Sequence, residues 1–202
     1  MRAKGSDHVR KIIHLAGEMG CETVAGPLYS PVGYLPGRRR TQEEWQHAIE
    51  SYHTLAADLD ATKVNMAVEP LNRFETFFLN TTADGVALCD AVNHPRIGLL
   101  VDTFHCNIEE KDIASAYRAA GRHLLHVHTC ENDRGIPGSG HVEWEPVFDA
   151  IRSTGYDKYL TIESFGFNMP DISAAAAIWR DLAPTPESIA TEGVKFLRRH
   201  FA

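Results

Sequence analysis

Four positions in the chain place metal-ligand side chains where strands should end. Apolar runs at Thr62–Val68, Ile97–Val101, His123–Val127 and Tyr159–Ile162 pass directly into Glu69, Asp102, His128 and Glu163. A single acidic residue after a strand commonly caps the next helix. A succession of Glu, Asp, His and Glu points instead to one shared site. Three carboxylates and an imidazole form a hard, oxygen-rich donor set, which suits Mn²⁺, Mg²⁺ or Co²⁺ better than a thiolate-bound structural zinc. Four protein ligands would leave an octahedral ion two positions for adjacent oxygens of a polyol or hydroxy-ketone, whose carbonyl it could polarise as a Lewis acid.

Such a site requires strands whose carboxyl ends meet. With a further run at Thr23–Leu28, candidate strands start at 23, 62, 97, 123 and 159, each about one βα unit from the next. They are apolar on both faces, as in a parallel sheet with helical crossovers. Helix signals fill the intervals. Thr41 and Glu44 form a capping box ahead of Trp45, Ile49, Tyr52, Leu55, Ala56 and Leu59. Asn80 or Thr82 is expected to cap a helix through Val86, Leu88 and Val92. Asn107 with Glu110 reads as a helix start before Ile113, Ala116 and Tyr117. Pro146 suits a first helical turn, and Pro184 and Pro186 introduce a last helix through Ile189, Val194, Phe196 and Leu197. No G-x-G-x-x-G follows any strand, which disfavours a dinucleotide fold. No linker-like stretch interrupts the pattern. The expectation is one α/β domain over residues 1–202, a (β/α) barrel-type parallel sheet with the four residues on its carboxyl face.

Composition narrows the partners. The 202 residues are 44% hydrophobic and 23% charged, ordinary values for a folded chain. Twenty basic against 27 acidic residues give a net charge of −7, which argues against nucleic-acid and anionic-membrane partners. No apolar run approaches the roughly 20 residues that span a bilayer. The N-terminus lacks a signal peptide's apolar stretch, so a cytoplasmic protein is expected. Cys21, Cys89, Cys106 and Cys130 show no paired spacing, so no disulfide framework is expected.

Longer motifs carry a resemblance. EPLNRFETFFLNTTADG at 69–85, DTFHCNIEE at 102–110, HVHTCENDRGIPGSGHVEW at 126–144 and IESF at 162–165 resemble those of the ketose 3-epimerase family, which includes D-tagatose and D-psicose 3-epimerases. AGPLYSPVGY at 25–34 is similar to a loop of the same family. The resemblance implies a xylose-isomerase-like TIM barrel and a divalent ion, Mn²⁺ first with Co²⁺ or Mg²⁺ as alternatives, on Glu69, Asp102, His128 and Glu163. It implies substrate contacts at Glu75, His105 and Arg134, and an acid–base pair formed by Glu69 and Glu163. The implied activity is inversion at C3 of a small free ketose through an enediolate, with an aldose–ketose or hydroxypyruvate-type isomerase as the alternative. The resemblance also implies that the chain begins just before the family's fourth strand. That leaves about five of eight βα units, an N-terminally truncated barrel. Its open edges call for cover, as in a homo-oligomer, and a catalytically impaired metal- or sugar-binding remnant is the reading from another class.

Several residues have plainer readings. His105 could be a loop histidine, Arg134 a bridge to a surface carboxylate, and Glu75 an orienter of Arg73 or His105. His126, two residues before His128, is expected to pack below the ligand layer. PGSG at 137–140 reads as a tight turn. Tyr29 and Tyr34 would either wall a pocket or serve packing, and Cys106 reads as packing.

Overall fold

A computed structural model of the chain describes residues 2–165 and 169–201. One parallel sheet contains β1 (Thr23–Gly26), β2 (Asn65–Val68), β3 (Ile97–Asp102), β4 (Leu124–His128) and β5 (Leu160–Thr161), side by side in chain order. Parallel neighbours need long crossovers, and helices provide them. α1 (Arg2–Glu18) leads into β1, and α2 (Gln42–His53) and α3 (Ala56–Thr62) connect it to β2. α4 (Thr82–Val92) leads to β3, α5 (Thr103–Glu109) and α6 (Ile113–Ala120) to β4, and α7 (Trp144–Ser153) to β5. α8 (Pro170–Ala176) and α9 (Pro186–Phe201) follow. The result is a curled half-barrel, as expected of a truncated TIM barrel.

Two apolar clusters hold the helices to the sheet. Ile13, Tyr52, Leu59, Met66, Val68, Leu88 and Ile97 form the heart of one. Leu99, Val101, Tyr117, Val127, Phe148, Ile151 and Leu197 form the other. Each large side chain so buried contributes about 1.5–3 kcal/mol. β3 belongs to both and is buried along its whole length, which explains its continuous apolar run. Gly98 lets the β4 chain come close, because a Cβ there would strike the His123 carbonyl oxygen. Just beyond it the β3–β4 register shifts between Leu99 and Leu100, and Asp102 pairs with His128.

Several local expectations change. Thr41 and Glu44 do form a capping box, but the helix it opens breaks at Thr54 and resumes as α3. The cap of α4 is Thr81, whose hydroxyl accepts the Asp84 N–H, while Asn80 donates to the Leu71 and Thr76 carbonyls. Asn107 lies inside α5, and Asp112 caps the next helix instead. α1 and α8 carry weaker signals. In α1, Val9, Ile13 and Ala16 make a narrow stripe toward the core while Leu15 stays exposed, and Ile13 is wholly buried. All four cysteines are free, and Cys106 is packed in the core. Among the described residues, no helix is long and apolar enough to cross a membrane.

Candidate functional site

The four strand-end residues converge. Glu69, Asp102, His128 and Glu163 each offer a ligand atom, and these atoms lie within 4.8 Å of one another. Glu69 follows β2 and donates its N–H to the Gly26 carbonyl at 3.0 Å. Asp102 and His128 end adjacent strands, and Glu163 follows the short β5. Asp102 caps a helix and also faces the cluster. Its Oδ1 accepts the Phe104 N–H at 2.8 Å and caps α5. Its Oδ2 faces the cluster, 3.8 Å from His128 Nδ1.

Two atoms here are buried without a hydrogen-bond partner, Glu69 Oε1 and His128 Nδ1. An unsatisfied buried polar atom costs about 1–3 kcal/mol, which a bound cation can offset. Three carboxylates, an imidazole and those two bare atoms fit a divalent ion of the hard class.

Charge is divided unevenly across the cluster. Burial, then the neighbouring Asp102 charge, pushes the Glu69 carboxyl up to about 8. Burial would also raise Asp102, but His128 and Arg134 outweigh it and hold Asp102 well below the usual carboxylate range. Glu163 is likewise lowered against its burial, by His128 and Arg134. Burial opposes charge on His128, yet Asp102 and Glu163, the latter at 3.5 Å, raise it to about 10.

The three further residues carried over from the resemblance lie around this cluster. Arg134 is buried rather than bridging a surface carboxylate. Its Nη1 donates to Glu163 Oε2 at 2.6 Å and Asp102 Oδ2 at 3.2 Å. Its guanidinium also packs over the Phe104 ring, 4.1 Å from the centroid. His105 is buried, with Nε2 3.2 Å from Arg134 Nη2 and 3.6 Å from Glu69 Oε1. Glu75 reaches His105 through Asn72, whose Nδ2 donates to Glu75 Oε1 at 2.7 Å. Arg73 turns away and pairs with Glu109.

Two supporting residues escaped the sequence reading. Asn72, 2% exposed, bonds to both Glu75 and His105. Glu131, fully buried, shapes the loop that carries Arg134. Its carboxylate accepts the N–H groups of Asn132, Gly138 and Val142 and the indole N–H of Trp144, at 2.8–3.1 Å. Its carbonyl accepts the Arg134 N–H at 3.0 Å, where Arg134 adopts a left-handed φ of 64°. Gly140 leaves room for Glu131 and Asn132, which a Cβ would strike. Glu131 acts mostly on main-chain N–H groups, and Asn72 on side chains brought to it by the fold, so neither leaves a periodic or paired signature in the sequence. A Glu beside a metal-ligand strand was the available signal for Glu131.

The plainer readings divide. His126 packs beside His128, ring centroids 5.2 Å apart, with Nε2 3.2 Å from the Thr161 hydroxyl. Residues 136–139 form a turn closed by the Ser139 N–H on the Ile136 carbonyl. Tyr29 is structural, stacked on Phe78 with its hydroxyl donating to the Glu69 carbonyl. Tyr34 is exposed and meets Phe77 edge to face. α9 presses on both arms of the site. Its Phe196 fills the space beside Gly138, and its Gly193 lies against Pro137 and Ile162, the residue before Glu163.

Parallel βα units with polar ligands gathered at the strands' carboxyl ends define a barrel-type enzyme. The model of the xylose isomerase-like TIM barrel family matches residues 1–200, and the chain belongs to that family. Its relatives are isomerase-class enzymes. A probable ketose 3-epimerase of Synechocystis sp. is 41% identical over 194 residues, covering 96% of this chain and 68% of its own length. An L-ribulose 3-epimerase of Methylomonas sp. is 33% identical, covering 98% and 70%. The crystal structure of a Methylomonas D-allulose 3-epimerase in complex with D-allulose superposes with a TM-score of 0.91 at 32% identity, over 98% of this chain and 69% of that one. The chain thus spans about two thirds of the length of these relatives.

Proposed function

We propose that the chain inverts C3 of a small free ketose, with Glu69 and Glu163 as the acid–base pair. The observation that carries this reading is the convergence of four strand-end ligand groups with the two glutamates at its flanks, one after β2 and the other after β5. The C3 proton of a ketose is acidified by the C2 carbonyl. One glutamate takes that proton and leaves an enediolate over C2 and C3. The other delivers a proton to the opposite face of C3, and the reverse reaction exchanges their roles. His105 and Arg134 supply N–H donors beside the cluster for sugar oxygens, and Glu75 supplies an acceptor. A divalent cation held by Glu69, Asp102, His128 and Glu163, Mn²⁺ first with Co²⁺ or Mg²⁺ as alternatives, supplies positive charge that stabilises the enediolate. Between strands, the separated glutamates suit a two-base inversion better than a single base, which would favour isomerisation or retention.

The test is an assay on D-fructose, D-tagatose and L-ribulose with Mn²⁺ or Co²⁺ in D₂O. Deuterium at C3 with inverted product supports the reading. Carbonyl migration to C1 would assign an aldose–ketose isomerase instead. Stoichiometric metal uptake without deuterium at C3 would leave a binding protein without turnover.

A further inference from the structure

We propose that Asn72 is a positioning residue that fixes the proton of His105 on Nε2, making His105 and Arg134 paired donors for one substrate oxygen. The proposal rests on the reading that Glu75, His105 and Arg134 face a ketose.

The tautomer follows from what meets each ring nitrogen. Nδ1 faces two donors from a single residue. The Asn72 main-chain N–H donates to it at 3.1 Å, and Asn72 Nδ2 lies 3.0 Å away. A main-chain amide has no lone pair to offer, so Nδ1 must hold one. The orientation of the Asn72 amide is fixed in turn, because its Oδ1 accepts the Phe74 N–H at 2.9 Å and its Nδ2 donates to the Glu75 carboxylate. Rotating that amide would break both bonds and set two acceptors against each other. A neutral ring with a bare Nδ1 carries its proton on Nε2.

Nε2 lies 3.2 Å from Arg134 Nη2, whose N–H points at it, and 3.6 Å from the unsatisfied Glu69 Oε1. The guanidinium N–H, which can turn, yields to the main-chain amide on Nδ1, which cannot. Two N–H donors this close do not satisfy one another. They satisfy a single oxygen placed between them, as a sugar hydroxyl or an enediolate oxygen would be. With the opposite tautomer, Nε2 would accept from Arg134 and the site would lose one of the two donors. Asn72 therefore links two groups, aligning Glu75 through Nδ2 while setting the polarity of His105.

Ring ¹⁵N NMR of chelator-treated protein tests this, with His105 assigned by the signals lost in His105→Asn. The expected wild-type result is an unprotonated Nδ1 and a protonated Nε2. Asn72→Asp keeps an acceptor for the Phe74 N–H but turns an oxygen toward Nδ1 and Glu75. In that variant the main-chain N–H still donates to Nδ1 while the new carboxylate oxygen attracts a proton there. The Nδ1 signal should therefore shift part of the way toward the protonated value, and kcat should fall, by up to about a hundredfold if the Nε2 donor is lost, with an unchanged far-UV spectrum. A wild-type proton on Nδ1 overturns the proposal, whether or not the variant folds. So does an Asn72→Asp protein with wild-type His105 signals and kcat. The expected wild-type tautomer in a protein that never exchanges C3 would refute the epimerase reading and leave the tautomer assignment standing. An active enzyme with the proton on Nδ1 would do the reverse.

Discussion

Glu69 and Glu163 are the same residue type at the ends of strands in one sheet, and the fold treats them in opposite ways. Glu69 follows a strand paired on both sides, is 5% exposed, and leaves Oε1 without a partner. Its carboxyl is pushed up to about 8, first by burial and then by Asp102. Glu163 follows a two-residue strand paired with β4, keeps 29% of its side chain exposed, and receives Arg134 Nη1 at 2.6 Å. Its carboxyl is lowered despite its burial. In the metal-free chain, burial on one side and the His128 and Arg134 charges on the other create that asymmetry without any difference in side-chain chemistry.

The most severe way to break the pair is to remove either carboxylate. Glu69→Gln and Glu163→Gln should each lower solvent-deuterium incorporation at C3 by about 10²–10⁴-fold, read by NMR of the recovered sugar. Undiminished exchange in one variant would remove that residue from the relay. Arg134→Met should destabilise the protein by about 1.5–3 kcal/mol in denaturant titrations. It removes a charged donor from buried Asp102 and leaves that carboxylate to His128 and the Phe104 N–H. The same change should raise the Glu163 carboxyl, and an unmoved Glu163 titration in ¹³C NMR would contradict the role given to Arg134. Glu131→Gln puts an NH₂ where four N–H groups need acceptors. A loss of about 1–3 kcal/mol is expected, with a raised KM as Arg134 loses its setting. A change in stability at constant KM would limit Glu131 to folding.

The smallest effect sharpens the Glu69 side. Its carboxyl is raised in the folded state, so the chelator-treated protein binds a proton more tightly than the unfolded chain does. That contribution is present at low pH and is lost as pH rises through the folded value of about 8. Chelator-treated wild type should therefore lose melting temperature on going from pH 5 to pH 8 relative to Glu69→Gln, at about 2–4 °C per kcal/mol. Identical pH profiles for the two proteins would show that Glu69 titrates normally. Added Mn²⁺ should stabilise the wild type more than the variant at pH 8, because the ion favours the ionised carboxylate.

The sheet and the convergence of the four strand-end residues were legible because both rest on periodic signals. Apolar runs such as Ile97–Val101 are long enough to show burial on both faces, and each strand must be followed by whatever residue its carboxyl end presents. Helix starts were less legible wherever neighbouring caps competed. Thr81 took the role expected of Asn80 or Thr82, and Asp112 capped the helix that Asn107 was expected to open. α1 was hidden because its buried stripe is only a few residues wide. Asn72 and Glu131 were hidden for a different reason. Glu131 meets mostly amide N–H groups, identical at every residue, and Asn72 meets His105 from 33 positions away, so only the folded path of the chain decides which of them meet.

The seat of α9 ties the two arms of the site to one body. Phe196 and Gly193 bear on the turn beyond Arg134 and on the residue before Glu163. A bulkier side chain at Gly193 would therefore press on the segments that carry Arg134 and Glu163, far along the chain from the strand that Glu69 follows.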